Sequence, residues 1–198
     1  MCGGFWCELR ENKRSDPVIF DFIRELRVDE PEEMSLDAAK QRAFELFPLK
    51  ATPAHHTLTM SHARRMAINQ KRNAEFKPAE GAIFVKPTKA YQGENQPQDM
   101  YIWPGLIMIG FGHKVHKGVF VTIKSCDQNS ITLSNGTVLT HEQAGSSLRL
   151  TFGLTYACSQ GLSLPGRVRL ETQSPYFTMK HLYVGCSRAT SHTLLDVC

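Results

Sequence analysis

Apolar positions recur at helical spacing in some stretches of the chain and alternate in others. Asp16-Pro17 opens the first periodic stretch, with Ile19, Phe22, Ile23 and Leu26 on one face. Aspartate caps a helix there and proline suits its first turn. Ser35 caps a second, in which Leu36, Ala39, Ala43 and Phe47 share a side and Pro48 supplies the stop. Thr57-Leu-Thr-Met60 predicts a strand, and Ser61 caps a third helix over 62–76. Gly4 to Leu9 is apolar enough for a further strand, and the acidic run 29–34 predicts a solvated turn.

From residue 77 to 99 the chain turns to Pro, Gly, Gln and Lys, which predicts a linker. The pattern then becomes β, with an apolar run over 101–111 and a strand over 118–124. Asn135-Gly136, flanked by alternating residues over 131–140, predicts a hairpin with a two-residue turn and positive backbone dihedrals at both positions. Several short strands in so few residues predict a small barrel or meander. Beyond it, 148–152 reads as a return to an α/β core, followed by a strand over 167–170, a helix over 178–191 and a strand over 193–197. Strands alternating with helices around an inserted β unit predict an α/β fold with a parallel sheet.

Composition narrows the class. The 198 residues are 41% hydrophobic and 21% charged, ordinary values for a globular chain. No apolar run is long enough to cross a bilayer, so the expectation is a soluble intracellular protein without a membrane partner, whether nuclear, cytoplasmic or in a viral factory. Cysteines 2, 7, 126, 158, 186 and 198 make no Cys-x-x-Cys pair, which favours reduced thiols. His55, His56, His113 and His116 lack cysteines at finger spacing, and no metal site is expected from them. Residues 1–50 carry 8 basic and 11 acidic side chains, whereas 51–198 carry 15 and 8. A net of +7 over that larger part is compatible with a phosphate-backbone partner.

Candidate chemistry concentrates near the C-terminus. The run Thr155-Tyr-Ala-Cys-Ser-Gln-Gly161 offers hydroxyls and a glycine where a backbone could approach phosphate. The stretch Leu182-Tyr-Val-Gly-Cys-Ser-Arg188-Ala-Thr190 ends a helix with a planar, permanent cation.

These two segments resemble motifs V and VI of superfamily 1 DNA helicases of the RecD-like and PIF-type 5'-to-3' branch. Leu9-Arg-Glu-Asn-Lys-Arg14, ahead of the first helix, is similar to motif IV of the same enzymes. The segment Leu58 to Asn69 resembles their strand that leads with Leu-Thr into a helix. The resemblance implies a RecA-like second motor domain over 1–78 and 148–198, with helices on both faces of its sheet. It also implies an inserted SH3-like module over 79–147.

It assigns Arg188 and Arg14 as catalytic cations directed at the terminal phosphate, and Gln160 and Gly161 as further nucleotide contacts. Thr155, Ser159, Thr59, Ser61 and His62 would face single-stranded DNA. ATP and Mg2+ would serve the full-length enzyme, held largely by a first RecA-like domain. The present chain contains no Gly-x-x-x-x-Gly-Lys-Ser/Thr, so it would bind neither alone. Ala157 and Cys158 stand where many relatives have His-Lys. Two other readings remain: a nucleic-acid-binding protein that has lost ATP hydrolysis, and a protein-interaction adaptor built on the β unit.

Overall fold

A computed structural model describes residues 15–26, 34–87, 96–112 and 114–198. The strand expected over 4–9 and Arg14 with its motif lie outside the described residues.

Local capping chemistry sets the helices. Asp16 accepts a hydrogen bond from the Ile19 N–H at the start of α1 (Pro17–Glu25). Ser35 does the same for the Ala38 N–H of α2 (Leu36–Leu46), and Ser61 for the Arg64 N–H of α3 (His62–Phe76). All three caps match the sequence expectation.

Four parallel strands form the first sheet, in the order β11-β10-β1-β9. They are β1 (His56–Thr59), β9 (Gly153–Thr155), β10 (Val168–Leu170) and β11 (Leu195–Val197). Leu154, Leu58, Leu170 and Val197 are register partners and cross the sheet in one row. Each is at most 3% exposed. Burying such a row contributes about 6–12 kcal/mol before the entropy of ordering the chain.

Helices α1, α2 and α6 (Met179–Cys186) pack on that face through Phe22, Ala43, Phe47 and Leu182. The opposite face belongs to α3. Gly153 permits its close approach: a Cβ there would stand 2.9 Å from the Arg65 carbonyl oxygen. The parallel α/β expectation, with helices on both faces, therefore holds.

The β unit has its own core of Met100, Ile102, Met108, Ile123, Ile131, Leu133 and Leu150 among others. Its five-stranded antiparallel sheet runs β7-β6-β5-β4-β8. The strands are β4 (Ile107–Gly110), β5 (Phe120–Cys126), β6 (Ile131–Leu133), β7 (Val138–Leu139) and β8 (Leu148–Leu150). A separate ribbon pairs β2 (Ile83–Val85) with β3 (Met100–Ile102).

Several expectations need correction. The run 101–111 is two strands rather than one, because Pro104-Gly105 turns the chain between β3 and β4. The segment 148–152 does not return to the parallel sheet: β8 pairs antiparallel with β4. The hairpin loop spans three residues, 134–136, between paired Leu133 and Thr137. Only Gly136, at φ 84°, is left-handed there. Asn135 instead accepts the Thr137 N–H with its side chain, the arrangement of a turn closed by one left-handed glycine. The C-terminal helix stops at Cys186, and a 3-10 turn at His192–Leu194 precedes β11. Two short helices were not anticipated, α4 (His141–Ser147) and α5 (Tyr156–Ser159).

Two asparagines one turn apart on α3 anchor it, Asn69 to the parallel sheet and Asn73 to the β unit. The Asn69 amide donates to the Gly153 carbonyl at 3.1 Å and accepts the Gly153 N–H at 2.7 Å. Asn73 does the same with Tyr101, at 2.9 and 2.7 Å. Each side chain completes a backbone edge as a neighbouring strand would.

Candidate functional site

Parallel topology separates the candidate residues between the two ends of the sheet. A helix joining parallel strands runs back from their carboxyl ends to their amino ends. Helix α6 makes that passage between β10 and β11, which leaves Arg188 near the amino edge. Strand β9 leads the other way, into the single turn of α5 and then Gln160-Gly161.

The Arg188 side chain ties these pieces together. Its Nη1 donates to the carbonyls of Ser159 at 3.2 Å and Leu162 at 2.9 Å, and its Nε to Val184 at 3.0 Å. Its Nη2 bonds the Ser187 hydroxyl at 2.6 Å, and its backbone carbonyl accepts from the Leu164 N–H at 3.0 Å. The two distant motifs thus meet at one residue. The arginine does not project into solvent as expected of a catalytic cation, however, for it is only 7% exposed. Backbone carbonyls left over at the end of α6 and around the turn after α5 capture its fork.

Gln160 and Gly161 form the exposed crest of the turn that Arg188 holds. Gly161 is left-handed at φ 81°, and an added Cβ would meet nothing within 4 Å. The glycine is required by backbone conformation rather than by packing, and its peptide is open to solvent.

Arg14 lies outside the described residues, but Asp16, two positions on, is docked on the segment that follows Arg188. The Asp16 N–H donates to the Thr190 carbonyl at 3.1 Å. Its carboxylate accepts from the His192 N–H at 2.5 Å and lies 2.7 Å from the His192 Nδ1. Desolvation pushes this carboxyl up, but hydrogen bonds from His192 and Ile19 outweigh it and hold the group below the usual carboxylate range.

The residues expected to face DNA collect at the carboxyl edge. Thr59 and Thr155 are register partners at the ends of β1 and β9, each 3% exposed. Thr155 accepts the Cys158 N–H, which caps α5. Ser159 is fully buried and donates to the Tyr156 carbonyl at 2.9 Å. It therefore stands inside the protein and not as a surface donor, because its hydroxyl is spent within the turn. Ser61 is exposed and His62 half-buried at the start of α3.

A cleft of about 470 Å3 opens at this edge, lined by Thr59, Met60, Ser61, Arg64, Glu171, Gln173, Ser174 and Cys198. Arg64, which sequence reasoning missed, spans its mouth with a two-pronged pair to Glu171: Nε lies 3.0 Å from both carboxylate oxygens. Glu171 and Gln173 carried no motif that could have marked them.

His55 and His56 have structural partners. His55 Nδ1 accepts from the Arg167 N–H at 2.9 Å, and His56 Nδ1 lies 2.7 Å from the Thr151 carbonyl oxygen. Among the described residues no group of three or more His, Cys, Asp or Glu could hold a metal ion. No described helix is long and apolar enough to cross a membrane.

No family model and no curated protein matches the sequence. Solved structures do match the fold. The Pif1 helicase from Candida albicans superposes with a TM-score of 0.59 at 16% identity, over 92% of this chain and 53% of that one. Pif1 helicase from Bacteroides in complex with ADP-AlF3 and single-stranded DNA gives 0.59 at 15% identity, over 93% and 49%. Bacteroides Pif1 bound to single-stranded DNA gives 0.55 at 14% identity, over 93% and 49%. The chain thus spans about half the length of these proteins and shares their fold over that part, a RecA-like parallel sheet with flanking helices.

Proposed function

We propose that this chain is the second motor half of a PIF-type DNA helicase, moving along single-stranded DNA and unwinding duplex at the expense of ATP. The observation that carries the reading is the junction at Arg188. There the turn of Gln160-Gly161, the end of α6 and, through Asp16, the segment following Arg14 are bonded into one edge of the domain.

Bound ATP and Mg2+ supply phosphoryl transfer, held chiefly by a first RecA-like domain that carries the phosphate loop. The open peptide at Gly161 fits such a nucleotide, having no side chain to hold a phosphate away. In this reading Arg188 acts first as a positioning residue, fixing the height of the 159–162 turn. Arg14 and an outward turn of the Arg188 fork supply cationic charge to the terminal phosphate when the two domains close. A cation delivered across a cleft in this way contributes about 10³–10⁵ in rate.

Thr59, Thr155, Ser61 and His62 lie at the opposite edge, and Thr59 and Ser61 line the 470 Å3 cleft there, which would take a strand backbone. Contacts of this kind position nucleic acid without reading its sequence. The turn after β9 then connects the strand-gripping edge to the nucleotide edge within a few residues. We read the antiparallel unit, which intervenes between α3 and β9 and has its own core, as an SH3-like insertion that closes over the strand.

The test fuses the chain to a phosphate-loop-bearing first motor domain and measures DNA-stimulated ATPase. Arg188→Ala should lower kcat by about 10³-fold or more while oligonucleotide affinity stays within a few-fold. Unchanged hydrolysis in Arg188→Ala would overturn the assignment.

A further inference from the structure

Outside the two edges, the cationic side chains Arg65, Lys117 and Arg149 line a single small cleft. It lies between α3, the β9–α5 segment and strand β4. Its remaining walls are Ile109, Gly110, Phe111, Gly118, Leu154 and Cys158, and no carboxylate appears among them. Arg65 and Arg149 are 2% and 4% exposed, whereas Lys117 is exposed at the rim.

Buried guanidinium groups are costly without a counter-charge. The first of the two is only partly satisfied: Arg65 Nη2 donates to the Gln96 carbonyl at 3.1 Å, and its buried Nε–H has no hydrogen-bond partner among the described residues. Desolvation pushes this guanidinium down from its ordinary value, with only Cys158 acting the other way. The other two cations share the Phe111 ring, with the Arg149 guanidinium 4.7 Å and the Lys117 ammonium 5.8 Å from its centroid. That ring lies within cation–π reach of both charges.

We propose that this cleft is an oxyanion site that takes one phosphoryl group, with Arg65 and Lys117 as its principal donors. At about 40 Å3 the space exceeds the room one water needs, about 10–15 Å3, and is too small for a base or a sugar. A tetrahedral oxyanion matches both the volume and the donors. The phosphoryl group comes either from a nucleic-acid backbone or from free inorganic phosphate. The first source rests on the function proposed above and the second does not.

Cys158, half-buried in the wall, is a local reporter. The experiment measures iodoacetamide modification of the full chain by mass spectrometry, with Cys126 as internal reference. Inorganic phosphate is titrated in one arm and a ten-nucleotide oligothymidylate in the other. Phosphate should slow modification of Cys158 saturably and leave Cys126 unchanged, and Lys117→Glu should abolish the protection. That substitution sits at an exposed position and disturbs no core.

If the oligonucleotide also protects Cys158, and Lys117→Glu lowers the slope of log affinity against log salt by about 1, the backbone is the source. Protection by phosphate alone supports the site with free phosphate as its ligand, even if the helicase reading fails. Absence of protection by either probe, or protection undiminished in Lys117→Glu, overturns the proposal.

Discussion

Replacing Asn69 tests the joint between α3 and the parallel sheet. Its amide satisfies both the N–H and the carbonyl of Gly153, at 2.7 and 3.1 Å, and the residue is fully buried. In Asn69→Ala both backbone groups are stranded away from water, because Gly153 lies directly under α3 and cannot move off it. Each unsatisfied buried group costs about 1–3 kcal/mol, so the pair costs at least about 2 kcal/mol. For a domain of this size that lowers Tm by about 4 °C or more. Asn69→Asp is more diagnostic. The carboxylate still accepts the Gly153 N–H but presents a charge to the Gly153 carbonyl. Burial beside that oxygen raises the folded-state pKa of the new acid above its unfolded value. Its stability is therefore fullest below the unfolded pKa of about 4 and is lost as pH rises through the folded one. Urea unfolding followed by far-UV circular dichroism reads both variants. An Asn69→Ala midpoint equal to that of the parent, or an Asn69→Asp variant that gains nothing on acidification, would refute the reasoning.

Three further outcomes are expected. Gly161→Ala forces a side chain into the left-handed region at a cost of about 1–2 kcal/mol; the fused enzyme should lose DNA-stimulated ATPase more than oligonucleotide affinity, as kcat and a binding isotherm will show. Arg169 donates to the fully buried Asp196 at 2.9 and 3.1 Å, so Arg169→Leu leaves a buried carboxylate without its counter-charge, held among the described residues only by the Lys50 N–H at 3.3 Å, and should cost about 3 kcal/mol in denaturant unfolding. Desolvation holds buried His56 below its ordinary pKa despite the Thr151 carbonyl beside its Nδ1. Its contribution is therefore present above the unfolded value of about 6.5 and falls as pH drops below it; that acid-side decline in thermal stability should flatten in His56→Gln.

The sequence made local features legible and long-range ones obscure. Asp16, Ser35 and Ser61 cap the helices expected of them, because a cap is decided within three residues. Strand Ile83–Val85 hid in a stretch rich in Pro, Gly and Lys, since it exists by pairing with 100–102 and not by its own pattern. Leu148–Leu150 has the composition of either sheet, and only its partner at 108–110 assigns it. Helix His141–Ser147 could have been found: Thr140 and Gln143 form a capping box that reads directly from the residues.

At the candidate site, the association of Gln160-Gly161 with Arg188 was legible from motif order. Burial of Arg188 was not, because carbonyls at 159, 162 and 184 capture its donors and sequence does not display where carbonyls point. The cluster of Arg65, Lys117 and Arg149 was equally hidden, its members lying on elements far apart in the chain.

The claim that this chain is half of a translocating motor is tested most directly by displacement of streptavidin from a biotinylated single strand. Fused to a phosphate-loop-bearing first motor domain, the chain should strip streptavidin from one end of the oligonucleotide in an ATP-dependent reaction. Displacement that is equally fast without this chain, or that never occurs although the fused protein binds the strand and ATP, would contradict the account.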